Sequence, residues 1–470
     1  METPTVEGEP MASDRDPFDP DRSGDQDNPL AQFMAQFGIT PGADGNFDMD
    51  GLMGKLQQAM TQFTSQMASF GGGAGADGLN WTFTRDVARK VTAAQGTDPS
   101  PSASEVAAVR DAVGLADLWL DQQTAFGRIA TPAAAWSRAE WVEQTFDVWR
   151  SLTSPVASSF SAAITGLLTK QSEELGGLQP MLEPLMRAAS SGMLSAQLGQ
   201  ALGLLSTDVV SACDISFPLT KKPIVALLPD NVAKFGDGLE QSDADVRLYL
   251  ALRETARQRL FASVGWLGPQ LLALVEHYAR GISIDAHAIE EALESQMSGQ
   301  MTAEDLESLG STLSSKLFEP VQTAEQTEIL GRLENLVALV EGWVDDVVSV
   351  TTAGLMPGAS ALLESVRRRR ASGGPAEAAL KALLNLELRP RRVRDAANLW
   401  AALRTAQGYE ARDAAWAHPD LIPTAADLDD PLGYVERGRP AVAPTDGVDD
   451  LDAQLARLLD EEGRKGPDGA

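Results

Sequence analysis

The sequence predicts a mainly α (α+β) protein, with one large helical domain, a small strand region and disordered acidic arms at both ends. Apolar residues recur at spacings of three and four through residues 79–436, as in amphipathic helices. Strand-like runs are few. Residues 1–78 are rich in Asp, Gly and Pro, and residues 437–470 are Pro-rich and then acidic, so neither end predicts a packed core.

Four segments carry the clearest helical pattern: AEWVEQTFDVWRSL, DADVRLYLALRETARQRLFASVGW, EILGRLENLVALVEGWVDDVVSV and RDAANLWAALRTA. Gly and Pro punctuate the sequence between them and indicate where helices end. Most tryptophans share the helical spacing with other apolar residues, which predicts that they belong to the core.

The best strand signal lies in residues 211–229, SACDISFPLTKKPIVALLP. Two short apolar runs flank a turn region that contains Pro and Lys. This pattern predicts a small hairpin or the edge of a sheet.

The N-terminal arm contains one amphipathic, Met-rich helix, with apolar residues at helical spacing on one face. These residues are Leu52, Leu56, Met60, Phe63, Met67 and Phe70. The helix either docks on the protein's own core, since isolated helices are marginal, or offers an adaptable face to a partner protein.

Composition excludes several classes of function. The 470 residues carry a formal net charge of -29, which argues against nucleic-acid and anionic membrane partners. No stretch approaches the roughly 20 consecutive apolar residues of a membrane-spanning helix. The single cysteine, Cys213, cannot form an internal disulfide, and the N-terminus lacks a signal-peptide pattern, so we expect a cytoplasmic protein. The chain has only three histidines, His277, His287 and His418, which argues against a multi-histidine metal site.

The most informative motif is Arg253-Glu254-Thr255-Ala256-Arg257, inside VRLYLALRETARQRLF. In a zinc protease helix, two histidines at i and i+4 bind the metal, and the Glu after the first polarises the bound water. Here the positions are present but the histidines are not. By composition alone, the charge run from Arg247 to Arg259 favours a solvent-exposed helix face.

Six segments in order carry a resemblance to a known family: NWTFTRDVARKV, WSRAEWVEQTFDVWRSL, LLPDNVAKFGDGL, VRLYLALRETARQRLF, VALVEGWVDDVV and HPDLIPTAADLDDPLGYVERG. Over residues 79–436 the chain resembles the actinobacterial zincin-like metallopeptidases of the second type, which are labelled hydrolases or zinc-dependent metalloproteases. The resemblance implies a zincin-like fold with residues 245–263 as the active-site helix.

The resemblance also assigns roles. Glu254 matches the general base. Arg253 and Arg257 stand where some relatives have both histidines of His-Glu-x-x-His, whereas the hydrolase-labelled branch resembles Arg-Glu-x-x-His and keeps only the second. On a second helix, Glu341 matches the third ligand and Asp345 the residue that orients a ligand histidine. Because arginine stays protonated, it cannot offer a lone pair to a cation.

Three interpretations follow. In the first, the chain is a pseudoenzyme that acts as a binding or regulatory protein and needs no cofactor. A protein or peptide partner is left open. Alternatively, it is an active zinc-dependent metalloprotease or hydrolase with unrecognised ligands, for which His277 is the nearest histidine downstream. In the third, Glu254 acts as a base without metal, in a pocket lined by the two arginines.

Charge complementarity suggests how the metal could be replaced. If Arg253 and Arg257 lie opposite Glu341 and Asp345, ion pairs bridge the two helices in place of zinc. If one carboxylate is unpaired, the guanidiniums form a fork for an anionic ligand.

A basic cluster, Arg367 to Arg370, stands out in this acidic chain. No aromatic interleaving or reading motif accompanies it, which disfavours nucleic acid. Docking of an acidic arm onto the cluster is the alternative.

Overall fold

The computed structural model describes residues 78–175, 179–281, 323–371, 375–384, 386–388 and 391–437. The chain divides into two units, Met1–Phe70 and Gly71–Ala470, and every described residue belongs to the second. Apart from residues 78 and 437, the predicted arms lie outside the described residues, as does the Met-rich helix. Their predicted disorder therefore stays a prediction.

The described part of the chain is mostly helical, which confirms the predicted fold class. Its helices are α1 (Trp81–Ala94), α2 (Ala103–Leu120), α3 (Arg138–Leu175), α4 (Gln179–Ser206), α5 (Pro229–Gly236), α6 (Asp243–Ser263), α7 (Leu267–Arg280), α8 (Ala324–Thr352), α9 (Ala359–Ala371), α10 (Pro375–Leu384), α11 (Val393–Gln407), α12 (Tyr409–Ala414), α13 (Ala425–Asp429) and α14 (Pro431–Arg437). None of these helices combines the length and apolar character needed to cross a membrane.

The strands are short. Strand β1 (Ala134–Ala135) pairs in parallel with β2 (Ala226–Leu227), and Ser211 adds one antiparallel bridge to Leu227. The segment 211–229 therefore contains strand β2 and the reversal of chain direction that its sequence predicts. The β1 partner, which comes from a distant part of the chain, was not predicted.

Side-chain caps fix where the two central helices begin. The Ser242 hydroxyl accepts a hydrogen bond from the Asp245 amide at 3.1 Å at the start of α6. Thr323 and Gln326 cap each other's backbone amides at the start of α8. Each cap satisfies amides that have no partner in the first turn of a helix.

Helix α6 is buried on all sides through most of its length, packed among α2, α8 and other helices. The expectation that its charge run forms a solvent-exposed face is wrong for four of the five charged residues. Arg259 is fully buried against Asp117 of α2 and Asp121, the residue after α2, at 2.5 and 2.8 Å. Carboxylates from neighbouring helices supply the partners that a buried guanidinium needs, and helical periodicity alone cannot reveal them.

Tryptophans fill the core around α8, as predicted. Trp343 is fully buried, and its indole nitrogen donates to Asp413 at 2.9 Å. Trp400 of α11 stacks on Trp416, with ring centroids 5.3 Å apart. Trp400 also donates to the Leu339 carbonyl at 2.9 Å, so it ties α11 to α8.

Gly342 allows α8 and α11 to approach each other closely. A Cβ atom at Gly342 would lie 2.6 Å from the Ala396 Cβ and 2.6 Å from the Ala397 backbone nitrogen. Both neighbours belong to α11, and neither can rotate away. Any side chain at this position would push the helices apart beside Glu341.

We predict that Gly342→Ala lowers the free energy of unfolding by about 1–3 kcal/mol, as overpacking of a core does. Gly331→Ala is the matched control, because Gly331 lies in α8 with open space where its Cβ would be. The control should raise stability by up to about 1 kcal/mol through helix propensity. Urea denaturation measures both; equal effects would contradict the close approach.

Candidate functional site

Helices α6 and α8 bring together all five residues that the sequence singled out. None of them is more than 3% exposed, and they form one buried cluster of charges. Its members are Arg253, Glu254 and Arg257 on α6, and Glu341 and Asp345 on α8. We call these five residues the central cluster.

Arg253 bridges the two carboxylates of α8. Its Nη1 donates to Asp345 Oδ1 at 2.7 Å, and its Nη2 donates to Glu341 Oε2 at 2.8 Å. Residues four apart on a helix lie one above the other on the same face, so one guanidinium fork reaches both.

Arg257 lies between two carboxylates as well. Its Nε donates to Glu341 Oε1 at 2.9 Å, and its Nη1 donates to Glu254 Oε2 at 2.9 Å. Both oxygens of Glu341 are therefore bound by guanidiniums from α6. Arg253 and Arg257, which the resemblance matched to the family's histidines, thus both form ion pairs with Glu341, which it matched to the third ligand.

Glu254 has donors on both of its oxygens. Beyond Arg257, Ser211 Oγ donates to Oε2 at 2.7 Å, while the Cys213 amide and Gln258 Nε2 donate to Oε1 at 3.2 and 2.8 Å. The Glu254 side chain is 0% exposed. Burial raises the pKa of Glu254, although Arg257 and these hydrogen bonds oppose the shift.

Helix α9 adds two arginines that the sequence analysis did not assign to the site. Arg367 donates through Nε and Nη2 to Asp345 Oδ2 at 3.1 and 3.0 Å, and Arg370 Nη1 donates to Glu341 Oε2. Their spacing of three residues, which places both on one helix face, was the available signal.

Arg369 is ion-paired too, with Asp214 at 2.9 Å and Asp208 at 3.5 Å. Three of the four arginines in the basic cluster thus bind carboxylates of the domain itself. This pairing accounts for the cluster in an acidic protein, while docking of an acidic arm stays a prediction because the arms lie outside the described residues.

Ser216 was also missed. Its hydroxyl donates to Glu341 Oε1 at 2.5 Å, and its backbone has φ 70°, in the left-handed region. Left-handed backbone is uncommon for a residue other than glycine. The turn after Cys213 therefore holds a strained residue against the central cluster. No sequence pattern announces this contact.

The charges in the cluster shift the pKa values of its members. Burial alone would raise the pKa of Glu341, but the Arg257, Arg370 and Arg253 guanidiniums outweigh it and hold that pKa well below its usual range. Burial would lower the pKa values of Arg253 and Arg257, yet the carboxylates around them raise both. Glu341 is consequently ionised at neutral pH.

Arg253, Arg257 and Glu341, which the resemblance matched to metal ligands, do not fit a zinc ion. Two of them are guanidiniums without a lone pair, and they occupy the oxygens with which Glu341 would bind a metal. Within the described ranges, no group of three or more His, Cys, Asp or Glu side chains is placed to hold a metal.

Neither of the two histidines in the described ranges supplies a replacement. His277 lies on α7 and contacts Glu325 at 3.1 Å. Glu325 precedes Glu341 on α8 by sixteen residues, or about 24 Å at 1.5 Å per residue. His418 begins the short 3-10 turn Pro419–Leu421, and His287 lies outside the described residues.

A cavity of about 860 Å³ opens beside the cluster, and we call it the arginine cavity. Ser216, Glu341 and Asp345 line it, together with arginines of α9 and of the start of α11. Arg253, Glu254 and Arg257 are not among its lining residues; they lie behind Glu341 and Asp345. The cavity therefore reaches the α8 carboxylates but not the family's general-base position.

Comparisons with known proteins confirm the predicted family and agree with the fold. A family model described as zincin-like metallopeptidase matches residues 79–435, and the chain belongs to this family. A solved crystal structure described as "a putative hydrolase with a novel fold", from Chloroflexus aurantiacus, is similar in fold, with a TM-score of 0.51 and 18% identity. The similarity covers 76% of this chain and 98% of that one. No curated protein matches the sequence.

We predict that Arg257→Ala lowers the free energy of unfolding by about 3–5 kcal/mol, because it leaves Glu341 and Glu254 buried without a guanidinium between them. The control is Arg280→Ala, which removes an exposed ion pair with Glu276 and should cost far less. Urea denaturation measures both variants. An equal, small loss would show that the buried pairs contribute little.

A second prediction concerns pH. Because the folded-state pKa of Glu341 is depressed, its contribution to stability is present above the unfolded pKa of about 4.3 and is lost as pH falls through the folded value. The stability difference between wild type and Glu341→Gln should therefore shrink as pH falls below about 4. Glu325→Gln, which removes an exposed carboxylate at the start of the same helix, is the control. Denaturation curves between pH 3 and 7 measure the difference, and a constant difference would contradict the assignment.

Proposed function

We propose that this zincin-like protein has exchanged the family's zinc for buried ion pairs and acts as a binding or regulatory protein, a pseudoenzyme. One observation carries the proposal. Both residues at the histidine positions of the motif are arginines, and both bind Glu341, which resembles the family's third ligand. Chemistry that depends on those ligands has no donor set at this site.

Charge balance supports the exchange. Two guanidiniums bring the same charge as one divalent cation and join the same two helices through Glu341 and Asp345. Arginine is suited to the task because its planar fork binds carboxylates through two parallel hydrogen bonds and never loses its proton. Ion pairs can therefore hold α6 and α8 together in a zincin-like core without metal.

Catalysis by Glu254 without metal has less support. A general base must come within hydrogen-bond reach of the proton that it removes. Glu254 has no exposed surface, its oxygens already accept four hydrogen bonds, and it does not line the arginine cavity.

The alternative function is an active zinc-dependent hydrolase with other ligands. Family membership supports it, since the family is described as metallopeptidases. It requires a ligand set away from Arg253 and Arg257. Residues outside the described ranges include His287, and the alternative depends on such residues.

Metal content separates the two functions. We predict that purified, untagged protein contains no stoichiometric zinc by elemental analysis. Zinc that bound the folded state would raise the thermal unfolding temperature, so we also predict that added zinc leaves this temperature unchanged. One zinc per chain, lost in Glu341→Gln, would contradict the proposal and support the hydrolase.

A double variant, Arg253→His with Arg257→His, serves as the positive control. It restores histidine at both positions beside Glu254 and Glu341, so zinc should raise its unfolding temperature. Arg253→His alone should respond less, since one histidine and one carboxylate are a poor zinc site. If zinc stabilised the wild type as much as the double variant, the arginines would not be what keeps the metal out.

A further inference from the structure

The arginine cavity is lined by five arginines, and their partners differ. Arg367, Arg369 and Arg370 bind carboxylates, as described above. Arg391 and Arg394, at the start of α11, are exposed, and neither makes an ion pair or side-chain hydrogen bond within the described part of the chain. Two whole guanidiniums are thus available at the rim.

A further donor lies deeper. Arg370 uses Nη1 for Glu341, but its Nη2 is shielded from solvent and has no acceptor among the described residues. A buried donor without an acceptor costs free energy, and an acceptor that entered the cavity would remove that cost.

The carboxylates that line the cavity are already engaged. Asp345 and Glu341 bind α9 arginines, Asp214 and Asp208 bind Arg369, and Asp395 binds Arg392 at 3.0 Å. Glu377, the remaining one, is not free either. Six carboxylates and five arginines line the cavity, and every carboxylate already has a partner, so Arg391 and Arg394 are the lining guanidiniums left without one among the described residues.

The rest of the wall is apolar. Its residues are Val209, Ile215, Val337, Leu380, Leu388 and Val393. The volume of about 860 Å³ falls in the range of small-molecule sites, which combine an apolar wall with a few placed polar groups. A purely ionic partner would leave this wall unused, and an uncharged apolar partner would leave the arginines unused.

We propose that the arginine cavity binds an amphipathic organic anion, a carboxylate or phosphate group carried on an apolar body. The anionic group binds Arg391, Arg394 and the open Nη2 of Arg370, and the apolar body contacts the aliphatic wall. This inference rests on the proposed function, because it gives a ligand class to the same metal-free site. Arginine forks recognise both carboxylates and phosphates, so the experiment compares the two.

Calorimetric titrations of the full-length protein in EDTA test the proposal, with octanoate and octyl phosphate as probes. 1-Octanol and inorganic phosphate are the controls, because each lacks one half of the ligand. We expect at least one amphipathic anion to bind at least tenfold more tightly than both controls, and its affinity to fall at high salt. Absence of binding by both anions, or equal binding of either control, would overturn the proposal.

Variants locate the site. Arg391→Gln with Arg394→Gln should weaken binding at least tenfold and leave thermal unfolding unchanged, since both side chains are exposed and unpaired in the described structure. The matched control is Arg368→Gln: Arg368 belongs to the same basic cluster but lines a different cavity. An equal loss in both variants, or no loss in the double variant, would overturn the assignment. Zinc analysis of the same protein reports on the proposed function separately, so either conclusion can fail alone.

Discussion

Charge pairing between α6 and α8 is the constraint on which the site depends. Two arginines and three carboxylates lie buried in the interface, and each must have a partner, because a lone buried charge costs several kcal/mol. The pairs on α6 and α8 alone leave one excess carboxylate. Helix α9 offsets it with Arg367 and Arg370, and the turn at residues 211–216 adds hydroxyl donors. The positions of α9 and this turn are thus coupled to the cluster.

Asp346, the next residue of α8, also forms buried ion pairs, with partners on a different side of the helix. Asp346 is 5% exposed and binds Arg404 of α11 and Arg412 of α12, each at 2.9 Å. Arg412 also binds Asp413, which accepts the Trp343 indole. Adjacent acids on α8 therefore face opposite sides and connect it to different helices. The close approach of α11 at Gly342 brings the second set of partners within reach.

A metal ion and a pair of guanidiniums solve the same electrostatic problem with different consequences. Zinc joins two helices and leaves an open coordination position for chemistry. Guanidiniums join the helices and fill the space with donors that cannot be displaced as easily as a water molecule. Under the proposed exchange, ion pairs preserve the fold while closing the catalytic position. Family membership describes the scaffold here, and the side chains at the site decide its chemistry.

The sequence by itself determined the helical class, the helices that carry the site, the tryptophan core and the family, because local periodicity and ordered motifs encode these features. It also showed that Arg253 and Arg257 cannot ligate a metal, since that is a property of the side chain. Only the tertiary structure decided that α6 is buried on all sides, that Arg367 and Arg370 complete the cluster, and that Ser216 contacts Glu341. These contacts join residues far apart in the chain, and burial and pairing depend on which helices pack together, a choice that no local pattern contains.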